Sequence, residues 1–275
     1  MYRNKRLIRW IGSALLVLIA LIGLDQRMIV RKYTVESDKL DQSVRLAVVA
    51  DFHGCDYGEG ASRLIAAIEE ETPDAILLAG DIFDDVLPWD DSEALVRALA
   101  AKWPCYYVTG NHEYWSKQVE EICRIITASG ATVLDQDCAE LVVKGQHINL
   151  CGIPDPYANV GTWDALTSAT GDIHQEGLTV LLAHRSELIE QYAAKGTFDL
   201  VVSGHAHGGQ VRIPFLVNGL FAPNQGWFPK YAGGKYQVEG TTLIVSRGLA
   251  RESTRVPRVF NRPELVMIEL LPASR

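Results

Sequence analysis

The chain has 275 residues, 48% of them hydrophobic and 22% charged, with 26 basic against 34 acidic side chains. That balance excludes disorder and collagen-like or solenoid repeats, and the length suits one large α/β domain whose core needs no disulfide framework. Charge is uneven: residues 1–32 hold seven basic groups and one acidic, which leaves 19 basic against 33 acidic groups for the remainder. A body so acidic lacks the basic face that nucleic acid requires, so no nucleic-acid partner is expected.

Arg3, Lys5, Arg6 and Arg9 precede residues 10–24, a run of fifteen uncharged, mostly aliphatic residues. The run leaves through Leu24-Asp25-Gln26-Arg27 with no small-x-small cleavage site, so it predicts an uncleaved transmembrane helix rather than a removed signal. Arg27, Arg31 and Lys32 follow it, and the slight basic excess on the N-terminal side favours a single-pass anchor with the body outside the cytoplasm. Residues 1–32 are expected to form this basic segment and anchor, and residues 33–275 one domain.

From Arg45 onward, short apolar runs alternate with amphipathic stretches. Strands are expected at 46–50, 75–79, 105–109, 148–153, 178–183, 200–203, 241–246 and 265–270. Helical spacing relates Leu64, Ile65 and Ile68, then Leu95, Ala98 and Leu99, then Val119, Ile122, Cys123 and Ile126. Ser116 is placed to cap the third helix and Gly130 to end it, while Ser186 and Gly196 bracket a fourth around Leu188, Ile189 and Tyr192. Strands alternate with helices early and with loops and hairpins later, the pattern of a layered α/β protein with mixed sheets. The five cysteines show no CxxC spacing and read mostly as core residues rather than ligands or disulfides, with Cys55 alone beside a polar cluster.

Five apolar runs end in such clusters: Asp51-Phe52-His53, Gly80-Asp81, Gly110-Asn111-His112-Glu113, His184, and Gly204-His205-Ala206-His207. In α/β sheets, ligands bind at the carboxyl ends of strands. Five of the seven histidines lie in these clusters; His147 and His174 stand apart and read as surface or loop residues. Past a strand end, residues i and i+2 reach the same side, so Asp51 and His53 can meet one cation and His205 and His207 two neighbouring ones. Carboxylate, imidazole and a neutral amide oxygen together suit two divalent ions such as Mn²⁺, Fe²⁺ or Zn²⁺. A strand-end carboxylate such as Asp81 suits the bridge between them, and such a pair activates water for in-line attack on phosphorus.

At these residues the chain resembles the calcineurin-like metallophosphoesterases, over about residues 44–270, and every signature position is filled. Asp84 matches the Gly-Asp-x-x-Asp extension of that signature. The N-terminal run, Gly-Gly-Gln after His207 and the Ala-Pro-Asn-Gln-Gly stretch resemble the family's membrane-associated bacterial branch. The resemblance implies a four-layer α-β-β-α sandwich with two mixed sheets and a metal site at the C-terminal strand ends. It implies that Asp51, His53 and His207 hold one metal ion, that Asn111, His184 and His205 hold the other, and that Asp81 bridges them. His112 is then the general acid rather than a ligand, and Asp84 and Glu113 orient their neighbours.

Between Gly208 and Gly234 only Arg212 and Lys230 are charged; this loop follows two candidate ligands and reads either as a greasy wall for a lipid-linked substrate or as hairpin packing. Residues 154–172, with Tyr157, Asn159 and Trp163, are a second candidate rim or an ordinary surface loop. Arg247, Arg251, Arg255, Arg258 and Arg262 read as a solvated basic face. The function expected is hydrolysis of a phosphodiester or pyrophosphate bond on a membrane- or envelope-associated phosphoester. The alternatives are a broad-specificity or nucleotide phosphodiesterase and a non-catalytic metal-stabilised binding protein.

Overall fold

The computed structural model describes residues 2–171, 173, 176–251 and 256–273, with side chains from residue 10 onward. His174 and Arg255 lie outside the described residues. Helix α1 (Tyr2–Gly23) leads into β1 (Ile29–Ser37) and β2 (Val44–Val49). Then follow α2 (Ser62–Glu71), β3 (Ala75–Ala79), α3 (Asp90–Ala100), β4 (Cys105–Val108), α4 (Asn111–Trp115), α5 (Val119–Ala128) and β5 (Thr132–Val133). The second half contains β6 (Asp137–Val143), β7 (Gln146–Gly152), α6 (Thr162–Ala169), β8 (Leu178–Arg185), α7 (Ile189–Ala194) and β9 (Leu200–Gly204). It closes with the short pair β10 (Phe221–Ala222) and β11 (Gly226–Trp227), then β12 (Gly234–Val238), β13 (Thr241–Val245) and β14 (Glu264–Pro272).

Two six-stranded sheets result, in the orders β1-β14-β2-β3-β4-β5 and β12-β13-β9-β8-β7-β6. Both are mixed: β14 runs antiparallel to β2, and β6 and β12 antiparallel to β7 and β13, while the other pairings are parallel. Period-two alternation sorts each central strand's side chains into two clusters. Leu46, Val48, Leu77, Val180, Leu182, Val202 and Ile268 fill the space between the sheets. Ala47, Val49, Ile76 and Leu78 pack outward against Leu64, Leu95, Leu99 and Ile122 from α2, α3 and α5. On the far side Leu181, Val201 and Leu243 meet Leu166 of α6 and Ile189 and Tyr192 of α7. The order of layers is therefore helices, sheet, sheet, helices.

Three expectations change. Residues 29–32, grouped on sequence with the anchor, begin β1, which pairs in parallel with β14 from Ile29↔Glu264 to Ser37↔Pro272. Cys138 and Cys151, read as core residues, form a disulfide, because the β6–β7 register sets them directly opposite each other. Helix α1 forms over the apolar run, with side chains such as Trp10, Leu16 and Leu21 exposed. Among the described residues, however, no helix is long and apolar enough to cross a membrane; the fifteen-residue run falls short of the ~20 residues a bilayer core needs.

Candidate metal centre

Strands β2, β3 and β4 are parallel neighbours in the first sheet, as are β8 and β9 in the second. Asp51 and His53 follow β2, Asp81 follows β3, Asn111 opens α4 after β4, His184 lies at the end of β8, and His205 follows β9. His207 begins a single 3-10 turn. All seven are buried. Ligand atoms of Asp51, His53, Asp81 and His207 lie within 4.8 Å of one another, as do those of Asp81, His184 and His205. Asp81 is common to both groups. A third group, of three residues, joins His53, Asp84 and His112.

The backbone is bent to achieve this. Asp51, His53, Asp81, His205 and His207 have φ of 50°, 52°, 52°, 68° and 45°, the left-handed region, which costs a residue with a Cβ about 1 kcal/mol or more. At Gly80, where φ is 83°, a Cβ would lie 2.6 Å from His184 Nδ1, so only glycine lets β3 pass that ring. The His205 amide, after β9 of the second sheet, donates to Asp51 Oδ1, after β2 of the first, at 2.9 Å and ties the two sheets at the site; within the first sheet the His112 amide donates to Asp81 Oδ1 at 2.9 Å.

Six buried side-chain atoms of the candidate ligands have no partner in hydrogen-bond geometry among the described residues: Asp51 Oδ2, His53 Nε2, Asp81 Oδ2, Asn111 Oδ1, His184 Nε2 and His207 Nδ1. His184 Nε2 and Asp81 Oδ2 approach to 3.1 Å as an ion pair, off that geometry. Leaving one buried polar group unsatisfied costs ~1–3 kcal/mol, so six converging on one place call for a species that accepts lone pairs. Divalent cations fit the donor set of two carboxylates, imidazoles and an amide oxygen.

Residues 44–209 match the family model described as calcineurin-like phosphoesterase. The chain belongs to that family. It is 29% identical over 245 residues to an uncharacterized metallophosphoesterase of Helicobacter pylori strain J99, covering 86% of this chain and 62% of that protein. It is 28% identical over 214 residues to the phosphodiesterase YaeI of Escherichia coli, covering 76% of this chain and 75% of that one. A protein of Danio rerio named as a transmembrane protein with a metallophosphoesterase domain is 26% identical over 280 residues, covering 95% of this chain and 61% of its own length. The chain thus spans less than two thirds of the Helicobacter and Danio relatives.

In this calcineurin-like phosphoesterase the remaining predicted residues surround the two groups. His53 Nδ1 donates to Asp84 Oδ2 at 2.9 Å, which aims its Nε2 inward, while Asp84 Oδ1 accepts from the amides of Val86 and Leu87. Glu113 accepts from the amides of Gly110, Asp81, Ile82 and Phe83 at 2.8–3.1 Å, locking the turn after β3 to the start of α4. Burial and the charge of Asp81 push Glu113 up to about 7 against those bonds. Burial opposes charge on His184, yet Asp81 and then Asp51 raise it to about 10. Burial, followed by the charges of His184 and Arg185, holds His205 well below its usual range, and burial with His53 does the same to His207. These two imidazoles are neutral, the form that binds metal.

His112 is only half-buried and donates from Nδ1 to Asp85 Oδ1 at 2.6 Å, with Asp84 Oδ2 at 3.4 Å. It lines a cavity of about 440 Å³ that opens on Asp81, Asn111, His205 and His207. Sequence reasoning assigned no role to Arg185 and Asn224, both of which line that cavity. Arg185 is clamped by Asp155, Nε to Oδ2 at 2.5 Å and Nη2 to Oδ1 at 3.1 Å, and its Nη1 reaches His205 Nε2 at 3.0 Å and Asn224 Oδ1 at 2.6 Å. Their signals were position: Arg185 directly follows His184, and Asn224 is the centre of Ala-Pro-Asn-Gln-Gly. The 208–234 loop contributes Phe221 and Pro223 to the cavity and the 154–172 segment contributes Tyr157. Hairpin packing accounts for buried Ala222 and Tyr231, whereas Phe215, Leu216, Trp227 and Phe228 are exposed. Of the C-terminal arginines none lines the cavity among the described residues, and Arg258, read as solvated, is buried with Nε donating to the Ala250 carbonyl at 2.7 Å.

Proposed function

We propose that this protein hydrolyses a phosphodiester or pyrophosphate bond at a two-cation centre, on a substrate presented at a membrane. The supporting observation is the set of six orphaned, buried ligand atoms grouped around one shared carboxylate. Asp51, His53 and His207 would hold one ion, Asn111, His184 and His205 the second, and Asp81 both. Bound there, two cations supply an acidified water and positive charge toward phosphate oxygens. The ions are of the Mn²⁺, Fe²⁺ or Zn²⁺ kind by donor chemistry.

The chain's own groups do the rest. His112, protonated through Asp84 and Asp85, gives its proton to the leaving oxygen. Arg185, held flat by Asp155, turns Nη1 from His205 to a non-bridging phosphate oxygen, where a guanidinium recognises the charge. Trp115, Tyr157 and Phe221 give the cavity an apolar rim for the alcohol or lipid portion. Helix α1, too short to cross, buries its exposed apolar side chains in the bilayer face that it meets and keeps the catalytic body beside that face. The Escherichia coli relative's name, phosphodiesterase, supports the diester reading.

Hydrolysis of a chromogenic phosphodiester and of the matching monoester with added Mn²⁺ tests this, with Asp81→Asn and His112→Ala as controls. Diester turnover lost in Asp81→Asn together with bound metal, and lost in His112→Ala with metal retained, is the expected result. A chain that binds no metal overturns the two-cation reading; one that binds metal and favours the monoester overturns the diester reading.

A further inference from the structure

A second cavity, of about 600 Å³, lies apart from the metal site and is lined by Arg31, Arg212, Arg247, Phe260 and the 213–218 loop. None of these residues lines the metal cavity. Arg31 and Arg247 both lean on Oε2 of buried Glu264, at 3.0 and 3.4 Å. Arg212 donates to the Gly208 carbonyl at 3.2 Å and to Asn218. Three guanidinium groups thus face one carboxylate, two positive charges in excess, inside a body that is strongly acidic overall. Burial first, and then the charge of Arg247, pushes Arg212 down to about 10, a sign of cations crowded without enough anion between them.

The surroundings indicate which anion. The turn beside the pocket is closed by reciprocal bonds between Ile213 and Val217 and projects Phe215 and Leu216, 106% and 82% exposed. Across the pocket, the Phe260 amide donates to the Gly23 carbonyl at 2.6 Å, and the Phe260 ring lies 3.1 Å from where a Cβ on Gly23 would sit. Gly23 is the last residue of α1. Exposed apolar helix, exposed apolar turn and a basic pocket between them follow the order hydrocarbon, headgroup, protein.

We propose that the pocket is a docking site for the phosphate of an anionic phospholipid, with Phe215 and Leu216 entering the acyl region beside it. The inference rests on the reading of α1 as membrane-inserted. Guanidinium forks match phosphate oxygens, and cationic side chains at a membrane surface each raise affinity for anionic lipid by about fivefold. Docking would hold the mouth of the metal cavity at headgroup level, because Arg212 bonds the carbonyl next to His207.

The test uses the full chain, Cys123→Ser with a fluorophore on Leu216→Cys, in nanodiscs carrying a nitroxide lipid quencher. Discs of phosphatidylcholine alone are compared with discs containing about 30 mol% phosphatidylglycerol. The expected result is quenching at least about twofold greater with phosphatidylglycerol, reduced to the phosphatidylcholine level by Arg212→Gln with Arg247→Gln. Because Arg247 supports Glu264, Phe215→Asp at a fully exposed position is a second variant, and it also abolishes the quenching gain. Equal quenching in the two discs, or a gain that survives both variants, overturns the proposal. A gain removed by millimolar inorganic phosphate shows a free-phosphate site and overturns the lipid assignment. A chain that enters neither disc overturns the membrane-inserted reading of α1 together with the pocket, whereas a chain that enters both and is quenched equally leaves α1 standing.

Discussion

His112 differs from the other four clustered histidines in being half-buried where they are buried, and its Nδ1 is held by the carboxylates of Asp85 and Asp84. Burial would lower its pKa, but the Asp84 bond, the Asp81 charge and Asp85 outweigh it and raise the ring to about 9. A raised acid is protonated below that value and loses its proton above it. In the diester assay kcat should therefore hold through neutral pH and fall on the alkaline side. Asp85→Asn removes one carboxylate that holds the proton, so the alkaline limb should move to lower pH with bound metal unchanged. His112→Ala should lower kcat by ~10²- to 10⁴-fold; a smaller effect would mean that the leaving oxygen needs no acid. Arg185 is argued from geometry alone: Arg185→Lys keeps the charge but loses the Asp155 clamp, and should raise KM for the diester by about tenfold or more, while metal content stays the same.

At the scale of elements, the eight strands expected from sequence are all present and all lie inside their sheets. The strands that went unread are the four edges, β1, β5, β6 and β12, with the two-residue β10 and β11. The reason is physical. A central strand is covered on both faces and reads as an apolar run, whereas an edge strand alternates half-buried with exposed residues, as β1 and β12 do. The disulfide was hidden for a related reason, since it spans two strands whose register is set by their pairing and not by spacing. Linking residues 13 apart, it should stabilise the fold by ~2–4 kcal/mol. Guanidinium unfolding of the oxidised chain against the reduced chain measures this, and coincident curves would show that the β6–β7 hairpin needs no staple.

For the whole molecule the site is a meeting of two sheets, so its charges act on global stability. Asp51 and Asp81 are fully buried, and burial raises Asp51 toward the neutral form, a strain that bound cations relieve. Chelation should lower the melting temperature, and Mn²⁺ at about 100-fold over its Kd should restore ~2.7 kcal/mol. Asp81→Asn removes the shared carboxylate and should abolish most of that metal-dependent rise; a rise left intact would place the ion elsewhere.

The sequence by itself determined the α/β class, the central strands and the seven candidate ligands with His112, Asp84 and Glu113, because each of these is a local pattern: an apolar run ending in a turn that carries polar atoms. It also located the apolar segment that becomes α1. Only the tertiary structure decided that Arg185 and Asn224 face the same cavity, that Arg258 is buried and that Cys138 meets Cys151. It likewise decided that Arg31, Arg212 and Arg247, far apart in the chain, surround one pocket at the end of α1. Those are properties of strand order and register, in which residues from both sheets are brought within a few ångströms, and no spacing along the chain records which strand becomes whose neighbour.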